Sequence, residues 1–286
     1  MSTLLSLGHG YSAQVLGRRL LAEGWQVIGT TRSPDRVQTL KAMGVEPLVW
    51  PGSSLSEALG RATHLLTSVA PDAEGDPVLA AEGAAIAAAR HLRWIGYLST
   101  TGVYGDKGGA WVDESTPLCP TTARGQQRVA AEAGWQDLCA RAGLPLHIFR
   151  LAGIYGPGRG PFEKVRNGSA RRIIREGQVF SRIHVEDIAE VLHASIRKPH
   201  PGAIYNVCDD DPAPPQDVIA HAARLLGLPD PPAIPFDEAD LSPMARSFYA
   251  ESKRVRNDRI KRELGVTLRY PDYRTGLAAL LDAAGR

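Results

Sequence analysis

The chain is poor in cysteine, nearly without net charge and free of long apolar runs, and each shortage removes a class of protein. Cys119, Cys139 and Cys208 are odd in number and show no close pairing, so reduced thiols are expected and no disulfide framework. A formal net charge of +2 sets aside a dedicated nucleic-acid binder, which needs many unopposed lysines and arginines for phosphate contacts. No apolar stretch approaches the roughly 18 residues of a membrane span, and Met1-Ser2-Thr3 runs straight into an apolar segment without a charged leader. The expectation is a soluble cytoplasmic protein with neither a membrane nor a nucleic acid as partner. The eight histidines are scattered, without a cluster at metal-ligand spacing, so no metal is expected.

What is present is ordinary globular composition, with one conspicuous opening. Leu4, Leu5 and Leu7 predict a short buried strand, and Ala13, Leu16 and Leu20 recur at helical spacing. Between them stands Gly8-His9-Gly10-Tyr11-Ser12-Ala13, a G-x-G-x-x-A pattern in the strand, turn and helix setting that gives it meaning. Gly8 permits the turn, Gly10 lets backbone approach a pyrophosphate, and Ala13 lets helix and strand close together. An anion is favoured there because free N–H groups and the helix dipole point at it. The bland alternative is a glycine turn that binds nothing.

A second strand is expected at Trp25 to Thr30, and its end carries no acid to bond a ribose hydroxyl. Arg32, Ser33 and Arg36 stand there instead, a set suited to a 2′-phosphate, so NADP is favoured with NAD as the alternative. Short apolar runs at 46–50 and 63–69, separated by a helix near 54–59, continue a βαβ rhythm. Ser68, Val69 and Ala70 then fall at a strand's C-terminal edge, where doubly wound sheets bind ligands. Residues 76–92 read as an alanine-rich packing helix, and 94–99 as the next strand.

Five stretches in order carry a resemblance: STTGVYGD at 99–106, RLAGIYGPGR at 150–159, IHVEDIA at 183–189, IYNVCDDDP at 204–212 and RIKRELG at 259–265. Together they resemble the extended short-chain dehydrogenase/reductase superfamily, the nucleotide-sugar epimerases and dehydratases. The resemblance implies an α/β fold, a Rossmann-type doubly wound parallel sheet with a small C-terminal substrate lobe. It divides the chain into a nucleotide-binding part at 1–158, joined by about 179–208, and a lobe from 159–178 and 209–286.

The same resemblance assigns site residues. Thr100 matches the hydroxyl that positions a substrate oxygen. The usual Tyr-x-x-x-Lys pair falls on the helix after VYG, where this chain has Arg124 and Arg128. An arginine stays protonated, so Arg124 is suited to binding an anion and is a poor proton shuttle. Arg128 retains a reach toward ribose hydroxyls, and water, Tyr104 or the substrate itself would replace the phenol. Thr101 and Gly102 stand where dehydratases place an Asp and a Glu, which argues against that activity. Leu151 is expected beside the nicotinamide, and Gly153 stands where relatives often carry Asn. Arg159, Arg171, Arg172 and Arg182 lie where sugar-nucleotide enzymes bind a diphosphate, although a solvated basic surface explains them equally well.

Tyr249-Ala250-Glu251-Ser252-Lys253 also fits Tyr-x-x-x-Lys, but its distance from VYG makes an exposed helix the plainer reading. His184 reads as structural, and the acidic run 209–211 as a turn and helix start. The leading functional reading is an NADP(H)-binding oxidoreductase or epimerase for a small anionic or nucleotide-sugar substrate. The other is a cofactor-binding sensor without turnover. The helices at 76–92 and 121–142 suit a homodimer of the helix-bundle kind common in that superfamily.

Overall fold

The computed structural model describes residues 1–284, apart from the side chains at 243, 244 and 284. The first half alternates strand and helix: β1 (Thr3–Leu7), α1 (Tyr11–Ala22), β2 (Gln26–Thr31), α2 (Val37–Ala42), β3 (Glu46–Val49), α3 (Ser56–Arg61), β4 (His64–Thr67), α4 (Pro77–Ala88) and β5 (Trp94–Thr100). Next come β6 (Trp111–Val112), α5 (Ala123–Ala142), β7 (Leu146–Leu151), β8 (Gly153–Tyr155), α6 (Phe162–Arg166), β9 (Arg172–Ile174) and β10 (Arg182–His184). The chain continues through α7 (Val185–Arg197), β11 (Ile204–Val207), α8 (Pro215–Leu225), β12 (Ala233–Pro235), α9 (Pro243–Phe248), β13 (Arg254–Val255), α10 (Asp258–Leu264) and α11 (Tyr273–Ala284).

Seven strands form one sheet in the order β11-β7-β5-β4-β1-β2-β3, and every pairing in it is parallel. The order reverses between β1 and β4, and a doubly wound sheet opens its ligand crevice at the strand ends there. Strand alternation sends Leu4 to one face and Leu5 to the other. The first face is covered by α1 and α7, where Leu16, Leu20, Ile188 and Leu192 are buried. The second is covered by α3, α4 and α5, through Leu59, Ile86 and Trp135. Asp76 starts α4: its Oδ1 accepts from the N–H groups of Val78 at 2.9 Å and Leu79 at 3.1 Å. Its Oδ2 accepts from Trp135 Nε1 at 3.0 Å, which joins α4 to α5.

A smaller core of Tyr155, Phe162, Val165, Ala222, Tyr273 and Leu277 holds the second lobe together. Three short parallel pairs lie outside the sheet, β8 with β10, β9 with β12 and β6 with β13, and the last joins the segment after β5 to the C-terminal part of the chain. The C-terminal third also returns to the main core, where Val255, Ile260 and Leu264 are buried with the residues of α7. Among the described residues no helix is long and apolar enough to cross a membrane, and no group of three His, Cys, Asp or Glu side chains is placed to hold a metal ion.

Candidate functional site

Gly8 adopts φ 74°, and a Cβ there would lie 3.1 Å from Val69 Cγ2 and 3.2 Å from Ser68 Oγ. Only glycine takes this backbone without strain while the end of β4 presses against the turn. Gly8 N donates to Thr30 Oγ1 at 2.8 Å and His9 N to Thr30 O at 2.9 Å, so the turn is held by the end of β2. Gly10 is the N-cap of α1; no side chain caps the helix, and its first turn contains no acid. A Cβ at Gly10 would meet only Gly8 O, at 3.7 Å, so the approach to the helix end is open. Bare N–H groups, a helix dipole and no competing carboxylate fit a dinucleotide pyrophosphate.

This helix end faces a cleft of about 810 Å³, whose wall includes Gly8, Gly10, Tyr11, Ser12 and Ala13. Ser68, Ala70 and Leu151 line the same cleft. Val69 stands behind them, its Cγ2 against Gly8. Arg32, Ser33 and Arg36 lie outside the lined wall, just past the end of β2, with Arg32 and Arg36 exposed. His9 departs from its expected place. Its ring turns away from the phosphate turn and packs against Gly17 and Gly29, where an added Cβ would come within 2.9 Å and 2.8 Å of it. Burial, with Arg36 nearby, pushes its pKa down to about 4, so it is neutral and offers no charge to a phosphate. Only its backbone belongs to the turn.

Thr100 ends β5 and lines the cleft. Its Oγ1 accepts from Gly102 N at 3.2 Å, which leaves the hydroxyl proton to donate to a ligand. Arg124 lies in the first turn of α5, exposed on the cleft wall, and makes no ion pair among the described residues. Arg128, one turn on, is occupied: its guanidinium donates to Tyr97 Oη and to Leu98 O, both at 2.9 Å. Gly153, Arg159 and Arg182 also line the cleft. Arg159 lies over the Tyr11 ring at 5.8 Å, and Arg182 donates to Phe180 O at 2.8 Å and Ala213 O at 2.9 Å.

Three expected residues stand elsewhere. Tyr104 is fully buried; its hydroxyl donates to Asn206 Oδ1 at 2.7 Å and accepts from Arg150 at 2.9 Å. Arg150 in turn is ion-paired with Glu132 at 2.8 Å. Burial pushes the Tyr104 phenol up to about 12, so it is a scaffold group and no substitute proton shuttle. Arg171 is exposed and donates to Gly168 O and Ala170 O, both at 2.7 Å. Arg172 donates to Pro231 O at 2.8 Å and pairs with Asp230 at 3.4 Å. Both hold the second lobe and neither lines the cleft. His184 caps α7, its Nδ1 accepting from Glu186 N at 3.2 Å, in keeping with a structural role.

Residues 84–208 match the NAD dependent epimerase/dehydratase family. Protein YeeZ of Escherichia coli K12 is 30% identical over 287 residues, covering 95% of this chain and 97% of YeeZ. The chain belongs to the NAD-dependent epimerase/dehydratase family. A conserved protein of unknown function from Silicibacter pomeroyi DSS has a solved structure that is 64% identical, with TM-score 0.94 and full coverage of both chains. UDP-glucuronic acid 4-epimerase from Bacillus cereus, solved in complex with NAD, superposes with TM-score 0.78 at 16% identity, covering 99% of this chain and 98% of its own. For this epimerase-family chain that distant likeness establishes the fold.

The Tyr249 to Lys253 stretch is where the sequence reading most clearly fails. α9 ends at Phe248, so these residues form a loop, and Lys253 is only 9% exposed. Tyr249, Glu251 and Lys253 all line the cleft. The Tyr-x-x-x-Lys spacing was the available signal; its distance along the chain concealed it.

Proposed function

We propose that the protein is an NADP(H)-binding oxidoreductase or epimerase of the extended short-chain type, acting on a small anionic or nucleotide-sugar-like substrate. One observation carries the reading: the bare glycine turn and Thr100 open on the same cleft as Arg124, Arg128, Arg159 and Arg182. None of these arginines is ion-paired among the described residues, and the cleft's single carboxylate, Glu251, is bonded to Lys253 at 2.6 Å. Such a wall favours a ligand with negative charge. The structural likeness to a UDP-glucuronic acid 4-epimerase with NAD supports the same class.

In this reading residues 1–158 and about 179–208 hold the cofactor, and 159–178 with 209–286 close over the substrate. The N–H groups at Tyr11 to Ala13 would take the pyrophosphate, and Arg32, Ser33 and Arg36 the 2′-phosphate. Ser68, Val69, Ala70 and Leu151 would flank the rest. A bound nicotinamide supplies or accepts hydride at this site. Thr100 donates its hydroxyl to the substrate oxygen and fixes the reacting carbon in place. Arg124 offers its guanidinium to an anionic group of the substrate.

The test is calorimetric titration with NADPH and NADH, followed by a hydride-transfer screen over UDP-sugars and small carbonyl acids. NADPH is expected to bind more tightly than NADH, and Thr100→Val to cut turnover by about 100-fold or more. Absence of nicotinamide binding refutes the proposal. Tight NADPH binding with no transfer to any compound favours the sensor reading instead.

A further inference from the structure

The loop from Tyr249 to Lys253 is laced to both segments that carry the expected catalytic positions. Lys253 Nζ donates to Gly105 O at 2.8 Å and to Glu251 Oε2 at 2.6 Å. Ser252 N donates to Asp106 Oδ1 at 2.8 Å, and Ser252 O accepts from Lys107 N at 3.1 Å and Gly109 N at 2.9 Å. These bonds hold the loop against the segment that follows Thr100. Thr121 Oγ1 donates to Glu251 Oε1 at 2.7 Å, which ties the same loop to the residues just ahead of α5, where Arg124 stands. Next door, β13 pairs with β6 and fixes the direction of the chain as it leaves the cleft.

Tyr249 itself is half-buried. Its ring packs edge-on against Phe180 at 5.5 Å and tilted against Phe236 at 5.3 Å. Arg175 donates to its backbone carbonyl. Among the described residues its hydroxyl makes no hydrogen bond, although the side chain lines the cleft beside groups that are tightly bonded. An uncommitted phenol in a cleft whose usual tyrosine position holds an arginine is available to a ligand.

We propose that Tyr249 is the proton donor and acceptor of this site, brought from the C-terminal lobe and held in place by Lys253, Glu251 and Ser252. The inference rests on the proposed nicotinamide and carbonyl chemistry of the cleft. In the reductive direction the substrate carbonyl carbon takes a hydride from a reduced nicotinamide, and the carbonyl π pair moves to oxygen. That oxygen takes the proton as the Tyr249 O–H bond breaks, and the phenolate regains a proton from water. Oxidation runs the same steps in reverse. Arg124 cannot serve in this way because it does not release its proton.

The charged surroundings suit the role. Burial raises the pKa of the phenol, and the positive charge of Arg182 opposes that rise. Arg175 is bonded to the Tyr249 backbone, and Arg175 and Arg246 both lie over the Phe236 ring that packs on it. Lys253, paired with Glu251, lines the same cleft. Burial keeps the phenol protonated at neutral pH, as reduction requires, and Arg182 is the cation that favours its phenolate.

The experiment is an ultraviolet phenolate titration of the wild-type protein and Tyr249→Phe, each with and without saturating NADP⁺. Because the hydroxyl makes no hydrogen bond among the described residues, the variant should fold with an unchanged urea midpoint. A one-tyrosine step is expected in the wild type, moving down by about one pH unit or more when NADP⁺ binds and absent from Tyr249→Phe. Any compound reduced by the wild type should be turned over by Tyr249→Phe about 100-fold more slowly, with KM little changed. NADP⁺ binding without a phenolate step that depends on Tyr249, or full turnover by the variant, overturns the proposal. Failure of NADP⁺ to bind refutes the cofactor reading beneath it.

Discussion

At Arg32 the chain presents an exposed guanidinium just past the end of β2, two residues beyond the threonine that holds the glycine turn. A charged hydrogen bond to a 2′-phosphate at that point is worth about 1.5–3 kcal/mol. Arg32→Ala should therefore weaken NADPH binding by roughly 10-fold or more and leave NADH nearly unchanged. Equal losses for the two cofactors in the same titration would remove Arg32 from the phosphate site. Neighbouring residues show why single positions are hard to place from sequence. His9 sits inside the glycine motif, and Tyr104 inside VYG, yet both side chains point into the protein and are buried. Position along a motif locates the backbone, whereas the direction of the side chain depends on what packs against it.

Among the elements, α4 and α5 pack against one another and are also joined by a carboxylate. Asp76 caps α4 with one oxygen and takes the Trp135 indole N–H with the other, in a buried setting. Asp76→Ala removes a cap worth about 1 kcal/mol and strands a buried indole donor at about 1–3 kcal/mol. Urea denaturation should show a loss of roughly 2–4 kcal/mol, and a loss below 0.5 kcal/mol would show that the two helices are held by packing alone. The existence of these helices was legible: 76–92 and 121–142 were expected, and 77–88 and 123–142 are observed. Their alanine content marks them as helices, although in α4 the apolar residues are spread around the helix and not gathered on one face. What this content could not reveal is the pairing of Asp76 with Trp135, separated by 59 residues.

Across the whole molecule, four buried histidines set the response to acid. Burial, the leading cause in each, pushes His9, His64, His147 and His184 down to about 4 from an ordinary 6.5. A depressed folded pKa means that the stability is fully present above pH 6.5 and drains away as the pH falls toward 4. Each ring should cost on the order of 1–2 kcal/mol at pH 5 relative to pH 7.5. A urea midpoint that holds constant between those two values would show that the histidines are not buried neutral. The sequence alone determined the parallel α/β order, the glycine turn, the arginines past β2 and the helix that carries Arg124. These depend on local periodicity and on residues close together in the chain. Only the tertiary structure decided which polar groups face the cleft. It turned His9 and Tyr104 inward, assigned Arg171 and Arg172 to backbone carbonyls of the second lobe, and brought Tyr249 and Lys253 to the wall shared by Thr100. The physical reason is the bonding of Lys253 to Gly105 across 148 residues, a contact made by the packing of two lobes and written in no local pattern. The glycine turn identifies the family of cofactor, and the loop that folds back from the far end of the chain carries the case for the chemistry.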